Sequence, residues 1–411
     1  MPRPARLLWL LLVPALLAAL SAPPASTAPK PGSAAGRNLL SNPGFEDGLP
    51  GHAWMPAAWD TFESGLNTVF FGRDSFLVHD GTYAVSVANL STLMPMFHNW
   101  SQTIIVGPES WGKDLTFTVW TRSNGLDGRA YVLIQAYRDT IQKMAIRWGV
   151  PRDTAMTRLG FVPTGQPIVL TGYRRLYFSD QETDWVKREV TTHIAPGTDI
   201  VSVRGGIFGT GQVLFDDAAL GARPTVAPPP APEHRNLIAD PGFEGNGNAW
   251  DYSVPPFPGL KIERDTLVWH GGRTSIHMHG GKAPFQARTG MVQLFDGRPF
   301  WGKRLRVSAW IRCDSLRNGL PYVKIFATTP AGELVGPPAT EYGGTMPWTQ
   351  IGYELDIPPG VDLVSAWFMY NAPAEGDLWF DDCSLEVLGP ADYVQNKTTP
   401  PGTLPLPGAV N

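Results

Sequence analysis

Four carboxylates stand where acids can hold a cation. Glu46 ends the run Asn38-Leu39-Leu40-Ser41-Asn42-Pro43-Gly44-Phe45-Glu46, and Asp216 lies in Leu214-Phe215-Asp216-Asp217-Ala218-Ala219-Leu220. Glu244 and Asp381 hold the matching places in Asn236-Leu237-Ile238-Ala239-Asp240-Pro241-Gly242-Phe243-Glu244 and Trp379-Phe380-Asp381-Asp382-Cys383-Ser384-Leu385. Asp216 alternates with Ala218 and Leu220, which points it with the core residues of a closing strand. A carboxylate buried there must be neutralised or paired. One structural Ca²⁺ per unit would do this, because Glu46 with Asp216, and Glu244 with Asp381, plus carbonyls near Gly81 and Gly272, make the all-oxygen shell that ion prefers. The alternative is that the acids accept hydrogen bonds from turn amides or pair with nearby Arg.

These signatures bracket two units, 37–221 and 235–388, and the landmarks between them recur in order. His79-Asp80-Gly81-Thr82-Tyr83 matches His270-Gly271-Gly272-Arg273-Thr274, each a turn feeding a strand. Gln102 matches Gln293, and Trp111-Gly112-Lys113 matches Trp301-Gly302-Lys303. The strand Leu115 to Arg122 matches Leu305 to Arg312, and alternation puts Leu115, Phe117 and Val119 on a core face with Thr116, Thr118, Trp120 and Arg122 opposite. Tyr131, Leu133, Gln135 and Tyr137 share a side in the next strand, which resembles Tyr322 to Ala327. The copies then diverge over 138–184, an insertion whose Asp139 to Trp148 and Thr154 to Leu159 suit short helices or a hairpin and whose Tyr173 to Tyr177 suits a strand.

Composition agrees with an all-β chain. Of 411 residues 44 are Gly and 40 Pro, and only 17% are charged against 43% hydrophobic, which favours short strands and many turns over long helices. The length holds two domains with real cores. A net charge of −4 without basic runs past the first few residues gives no support to nucleic-acid binding.

Arg3 and Arg6, the apolar run Leu7 to Leu20 and the small residues that follow read as a secretory signal peptide with a disordered lead, together 1–36. No later run reaches the length of a membrane span, so the mature chain is expected to be soluble and exported; a monomer is expected. Residues 222–234, with Pro228-Pro229-Pro230, read as a semi-rigid spacer, and 389–411 as a disordered tail. Cys313 and Cys383 are the two cysteines, either paired in an oxidising compartment or separately buried. His277 and His279 are two apart with no third metal ligand evident nearby, which favours an ordinary strand. Sequons occur at Asn89, Asn99 and Asn396.

The opening run, the Gly81 to Val87 strand, the Trp-bearing central strand and the closing Phe-Asp-Asp resemble carbohydrate-binding modules of the cellulase-C type, families 4, 9, 16 and 22. The resemblance spans nearly all of both units. It implies two tandem jelly-roll β-sandwiches, a calcium near the signatures, and a ligand groove on a concave sheet where aromatic rings stack on sugars. Carried over by position, the groove residues are Trp120, Arg122, Tyr131, Gln135 and Tyr137, then Trp310, Arg312, Tyr322 and Trp367.

The expected function is that of a secreted, non-catalytic protein binding polysaccharide or cell-surface glycan, in company with envelope components or secreted glycoside hydrolases. A structural or adhesive sandwich that docks proteins is the alternative, favoured by an occluded groove. A hydrolase built on 138–184 is the third, and needs a pocket with two carboxylates or a nucleophile and its base.

Overall fold

In a computed structural model of the chain, the described residues are 38–63, 68–90, 97–160, 168–179, 183–253, 261–280, 288–330, 332–335, 342–371 and 375–392. The expected signal peptide and lead, 393–411 of the tail, and the Asn396 sequon lie outside them.

The first unit contains β1 (Gly48–Leu49), β2 (His52–Pro56), β3 (Asp60–Phe62), β4 (Val69–Asp74), β5 (Ala84–Asn89), β6 (Phe97–Ile105), β7 (Asp114–Arg138), α1 (Thr140–Trp148), α2 (Arg152–Arg158), β8 (Val169–Phe178), β9 (Val186–His193) and β10 (Ile200–Arg223). The second contains β11 (Asp251–Ser253), β12 (Lys261–Asp265), β13 (Ser275–Gly280), β14 (Arg288–Asp296), β15 (Lys303–Arg317), β16 (Pro321–Thr329), β17 (Gly332–Val335), β18 (Gly344–Ile357), β19 (Leu363–Asn371) and β20 (Glu375–Pro390).

Antiparallel pairing in the second unit gives two five-stranded layers, β12-β13-β20-β15-β18 and β11-β14-β19-β16-β17. The first of these holds the closing Asp-Asp strand and is termed the signature layer. The first unit has the same order, but its two longest strands pass through both layers. One half of β10 pairs with β6 and the far half of β7, and the other half pairs with β5 and the near half of β7. Edge strands β4 and β9 complete the signature layer, and β3 and β8 complete the second. The crossing is made at Gly128, where φ is +111° and a Cβ would meet the Phe208 carbonyl at 2.5 Å.

The expected tandem all-β jelly rolls are therefore what forms. Alternation supplies each core: Val85, Val87, Phe117, Val119, Val213 and Phe215 of the signature layer face Trp100, Val132, Ile134, Val201 and Val203 of the second. The shared Trp-Gly-Lys landmarks close equivalent turns, with the indoles of Trp111 and Trp301 donating to the carbonyls of Thr198 and Val361 at 2.9 and 2.8 Å.

Two expectations are corrected by this topology. Trp120 and Arg122 do not share a face with Tyr131, Gln135 and Tyr137, because β7 changes layers between them and sends the two sets to opposite outer surfaces. Asp216 does not point with Ala218 and Leu220, because the β7–β10 register shifts between Asp216 and Ala219 and Asp217 takes φ 46°. This bulge turns Asp216 to the Trp120 side, where a turn buries it.

Within the 138–184 segment the sequence forms two helices and the edge strand β8. Asp139 caps α1 by accepting from the Gln142 amide at 3.0 Å, and Gly149 ends it at φ 61°. The spacer is tied at both ends, Thr225 donating to the Gly112 carbonyl at 2.6 Å and His234 to the Val387 carbonyl at 2.8 Å. Strand β20 continues two residues into the expected tail.

Candidate functional site

The signature acids make the same clamp twice. Asp216 Oδ2 accepts from the amides of His79 and Asp80 at 2.8 and 3.2 Å, and Oδ1 from the Asp217 amide at 2.7 Å. Asp381 Oδ2 accepts from His270 and Gly271 at 2.7 and 3.0 Å, and Oδ1 from Asp382 at 2.7 Å. Glu46 Oε1 takes the amides of Thr82 and Tyr83 at 2.8 and 3.1 Å, and Glu244 Oε1 those of Arg273 and Thr274 at 2.6 and 3.1 Å. Gly81 and Gly272 are required because φ is +71° and +69° and a Cβ would stand 2.2 and 2.1 Å from those Oε1 atoms. Burial pushes the Asp216 carboxyl up to about 6 despite its three amide bonds, and raises Asp381 for the same reason.

The alternative weighed in the sequence, acids bonded to turn amides, is thus present in both copies. The fit to a hard cation is partial. Asp216, Asp381 and the Oε1 atoms of Glu46 and Glu244 are already supplied with amide donors, while a Cβ on Gly44 would lie near Glu46 Cγ and Asp217 Oδ1, and one on Gly242 near Asp381 Oδ1, Asp382 Oδ1 and Glu244 Cγ. The acids gathered at each opening turn are Glu46 with Asp217, and Glu244 with Asp381 and Asp382.

Sequence reasoning missed a ring stack beside each clamp. His79 Nδ1 meets Asp217 Oδ2 at 2.6 Å while its ring lies on Trp120 at 4.0 Å and edge-on to Trp185 at 5.8 Å. His270 repeats this with Asp382 at 2.7 Å, Trp310 at 3.9 Å and Trp348 at 5.7 Å. The signal was available, since all four residue types recur in matching places in both copies. Trp120 and Trp310 therefore pin a turn with one ring face, and remain partly exposed with Arg122 and Arg312 on the outer signature layer.

The second-layer candidates fare differently. Tyr131 and Gln135 are 1% and 3% exposed, and Tyr137 is only partly exposed. Across Tyr131 lie Tyr177 at 6.1 Å and Phe97 at 5.5 Å, with the Arg175 guanidinium among them. Unit two closes this box: Asp251 accepts from Tyr173 and Arg175, both at 2.7 Å, and Arg129 donates to the carbonyls of Gly247 and Trp250 at 2.8 and 3.0 Å. Arg138 reaches Asp362 at 2.6 Å beside it. Burial raises the Tyr131 and Tyr173 phenols, and Asp251 helps hold Arg175 charged. The expected open groove over Tyr131 and Gln135 is thus an interface between units. In unit two Tyr322 is 5% exposed with its hydroxyl 3.5 Å from Met369 Sδ, while Trp367 is partly exposed and bonds Ser365 at 2.7 Å.

Among the described acids of the insertion, Asp153 and Asp184 are exposed at the surface, and Asp139 is buried. Asp139 is paired with Arg152 at 2.6 Å, and neighbouring Asp199 with Lys143 at 2.5 Å. The sequon residues Asn89 and Asn99 are buried, which removes them as glycan acceptors in the folded chain. Cys313 and Cys383 are separate buried thiols, and burial raises both.

No family model and no curated relative matches the chain. Among solved structures it is similar to the CBM22-1-CBM22-2 tandem domain of Xyn10C from Paenibacillus barcinonensis, at 12% identity over 87% of this chain and 99% of that one, with a TM-score of 0.30. It is also similar to TmCBM61, solved with β-1,4-galactotriose, at 16% identity over 46% of this chain and 99% of that one, TM-score 0.27. A CBM4 structure matches at 12% identity over 44% of this chain and 99% of that one, TM-score 0.28. Likenesses of this size decide neither family nor ligand; the architecture stands on the strand pairing above.

Proposed function

We propose that the chain is an exported, non-catalytic glycan-binding protein whose binding faces are the outer surfaces of the two signature layers. The supporting observation is an indole beside a guanidinium, Trp120 with Arg122 and Trp310 with Arg312, left partly exposed at equivalent places in both units. An indole offers apolar area to the C–H faces of a sugar, and a guanidinium donates to its hydroxyls. Two such faces on one chain favour an extended polymer over a short oligosaccharide. Structural calcium belongs to this reading, one ion per clamp, held by Glu46 with Asp216 or its neighbour Asp217 and by Glu244 with Asp381 or its neighbour Asp382. Export rests on the residue pattern of 1–36.

Retention of the intact chain on a panel of soluble and insoluble glycans tests the proposal. Some glycan should retain it, and Arg122→Ala with Arg312→Ala should weaken retention about tenfold or more, a loss near 1.4 kcal/mol. Chelator should lower the melting temperature; an unchanged value would mean that the amides neutralise the acids alone. A second reading, a scaffold that docks proteins, draws on the sealed Tyr131 box, and it prevails if no glycan retains the chain.

A further inference from the structure

Sequence spacing offers no third ligand near His277 and His279, and strand pairing supplies one. Asp377 lies directly across from His279 on β20. Its Oδ1 is 2.6 Å from His277 Nε2 and 2.8 Å from His279 Nδ1, and one ligand atom from each of the three residues falls within 4.8 Å of the others. We propose that these three side chains form a binding site for a borderline divalent transition ion of the zinc class, on the outer signature face of the second unit. The inference does not rest on glycan binding or on calcium.

Two imidazoles and one carboxylate are a ligand set suited to zinc, whereas calcium and magnesium favour oxygen alone. Tetrahedral bonds of about 2.0–2.2 Å place ligand atoms roughly 3.3 Å apart, so the two carboxylate–imidazole separations would each lengthen by about 0.6 Å to admit the ion. The imidazole of His277 is already oriented. Trp379 stacks on it at 4.7 Å and 9°, and that indole is itself fixed by donating to Asp265 Oδ2 at 2.8 Å. Glu263 Oε1 stands 3.7 Å from the other nitrogen, Nδ1, on the side where a ligating histidine commonly meets an outer carboxylate. His279 is 49% exposed, which leaves an approach from solvent and a fourth position for water. Lys261, opposite His279 on β12, is exposed, so its ammonium can turn into water.

The duplication provides an internal control. Equivalent pairings in the first unit join Ser86 to Leu214 and Gly72, and Ala88 to Gln212 and Phe70. The same framework therefore folds without any of the three ligands, and the cluster is not something the sandwich needs in order to form.

The test is titration of the intact, untagged, EDTA-dialysed chain with Zn²⁺ by calorimetry and with Co²⁺ by visible absorption and tryptophan quenching. One equivalent should bind, with tetrahedral Co²⁺ bands and quenching that Trp379→Phe reduces, and millimolar Ca²⁺ should not displace the ion. His279→Gln and Asp377→Asn should each weaken binding at least about tenfold while leaving the circular dichroism spectrum unchanged. Absence of stoichiometric binding, full displacement by Ca²⁺, or affinity unaltered in both variants would overturn the proposal.

Discussion

Trp100 and Gly205 face each other across β6 and β10 in the first unit, and Met291 and Phe368 hold the same pair of places across β14 and β19 in the second. In unit one the bulk comes from the outer strand, with Gly205 so close under Phe215 that a Cβ would lie 2.7 Å from its ring. In unit two the bulk comes from the central strand, and Phe368 sits edge-on to Trp250 at 5.5 Å. The two cores are filled by different residues to the same end, as close packing demands. The clamps differ far less: Asp217 and Asp382 sit at φ 46° and 45°, and Phe45 and Phe243 at 58° and 59°. Turn geometry tolerates few residue types, a core tolerates any set that fills it, and an outer face tolerates nearly anything. Outer faces differ where no clamp fixes them: the second layer of unit one is sealed by Asp251, and the signature layer of unit two alone carries His277, His279 and Asp377.

The largest effect expected is in the swapped core pair. Phe368→Ala removes a ring that Gly205 shows unit one does without, yet nothing in unit two refills the space, so stability should fall by about 3–5 kcal/mol in chemical denaturation. A loss below 1 kcal/mol would mean that Met291 collapses into the gap and the two cores are interchangeable.

Next comes the seal. Asp251→Ala leaves the Arg175 guanidinium, only 9% exposed, without its carboxylate, and should cost about 3 kcal/mol while loosening the units from each other. The observable is a single denaturation transition splitting into two.

The smallest effect is confined to unit one and depends on pH. Burial lowers His98 to about 4 from its ordinary 6.5. The unfolded chain thus takes up a proton there before the folded one does, so the stability involved is complete above about 6.5 and is lost progressively as pH falls toward 4. His98→Asn should flatten the difference curve in that window. Because burial raises Asp216, its contribution runs the other way, falling as pH rises from 3.8 to about 6, so the comparison must be between variant and parent.

Much of the framework was legible because turns and clamps need particular residues at fixed offsets, and those offsets recur. Asn38 and Asn236 each bond the second amide downstream, of Leu40 and of Ile238, and Gln102 and Gln293 each grip the backbone of Ser41 and of Ala239, contacts that repetition exposes. What misled was connection. The sequence offers Leu115 to Arg122 and Tyr131 to Tyr137 as two strands with one shared outer face, but β7 carries both and leaves one layer for the other near Gly128, so Trp120 and Tyr131 end on opposite surfaces. At Asp216 and Asp217 a bulge breaks the alternation that would have set Asp216 with Ala218 and Leu220. Contacts between units, and Asp377 beneath two histidines about a hundred positions earlier, carry no local signal at all.

The claim on which the functional account turns is that the Tyr131 face is shut while the Trp120 face is open. It is tested most directly by thiol labelling of the intact chain after Gln135→Cys and, separately, Arg122→Cys. The thiol at 122 should react with a maleimide near the rate of an unfolded control and the thiol at 135 at least about a hundredfold more slowly, in keeping with burial maintained by global stability. Equal rates at the two positions would contradict the account and reopen the second layer as the ligand face.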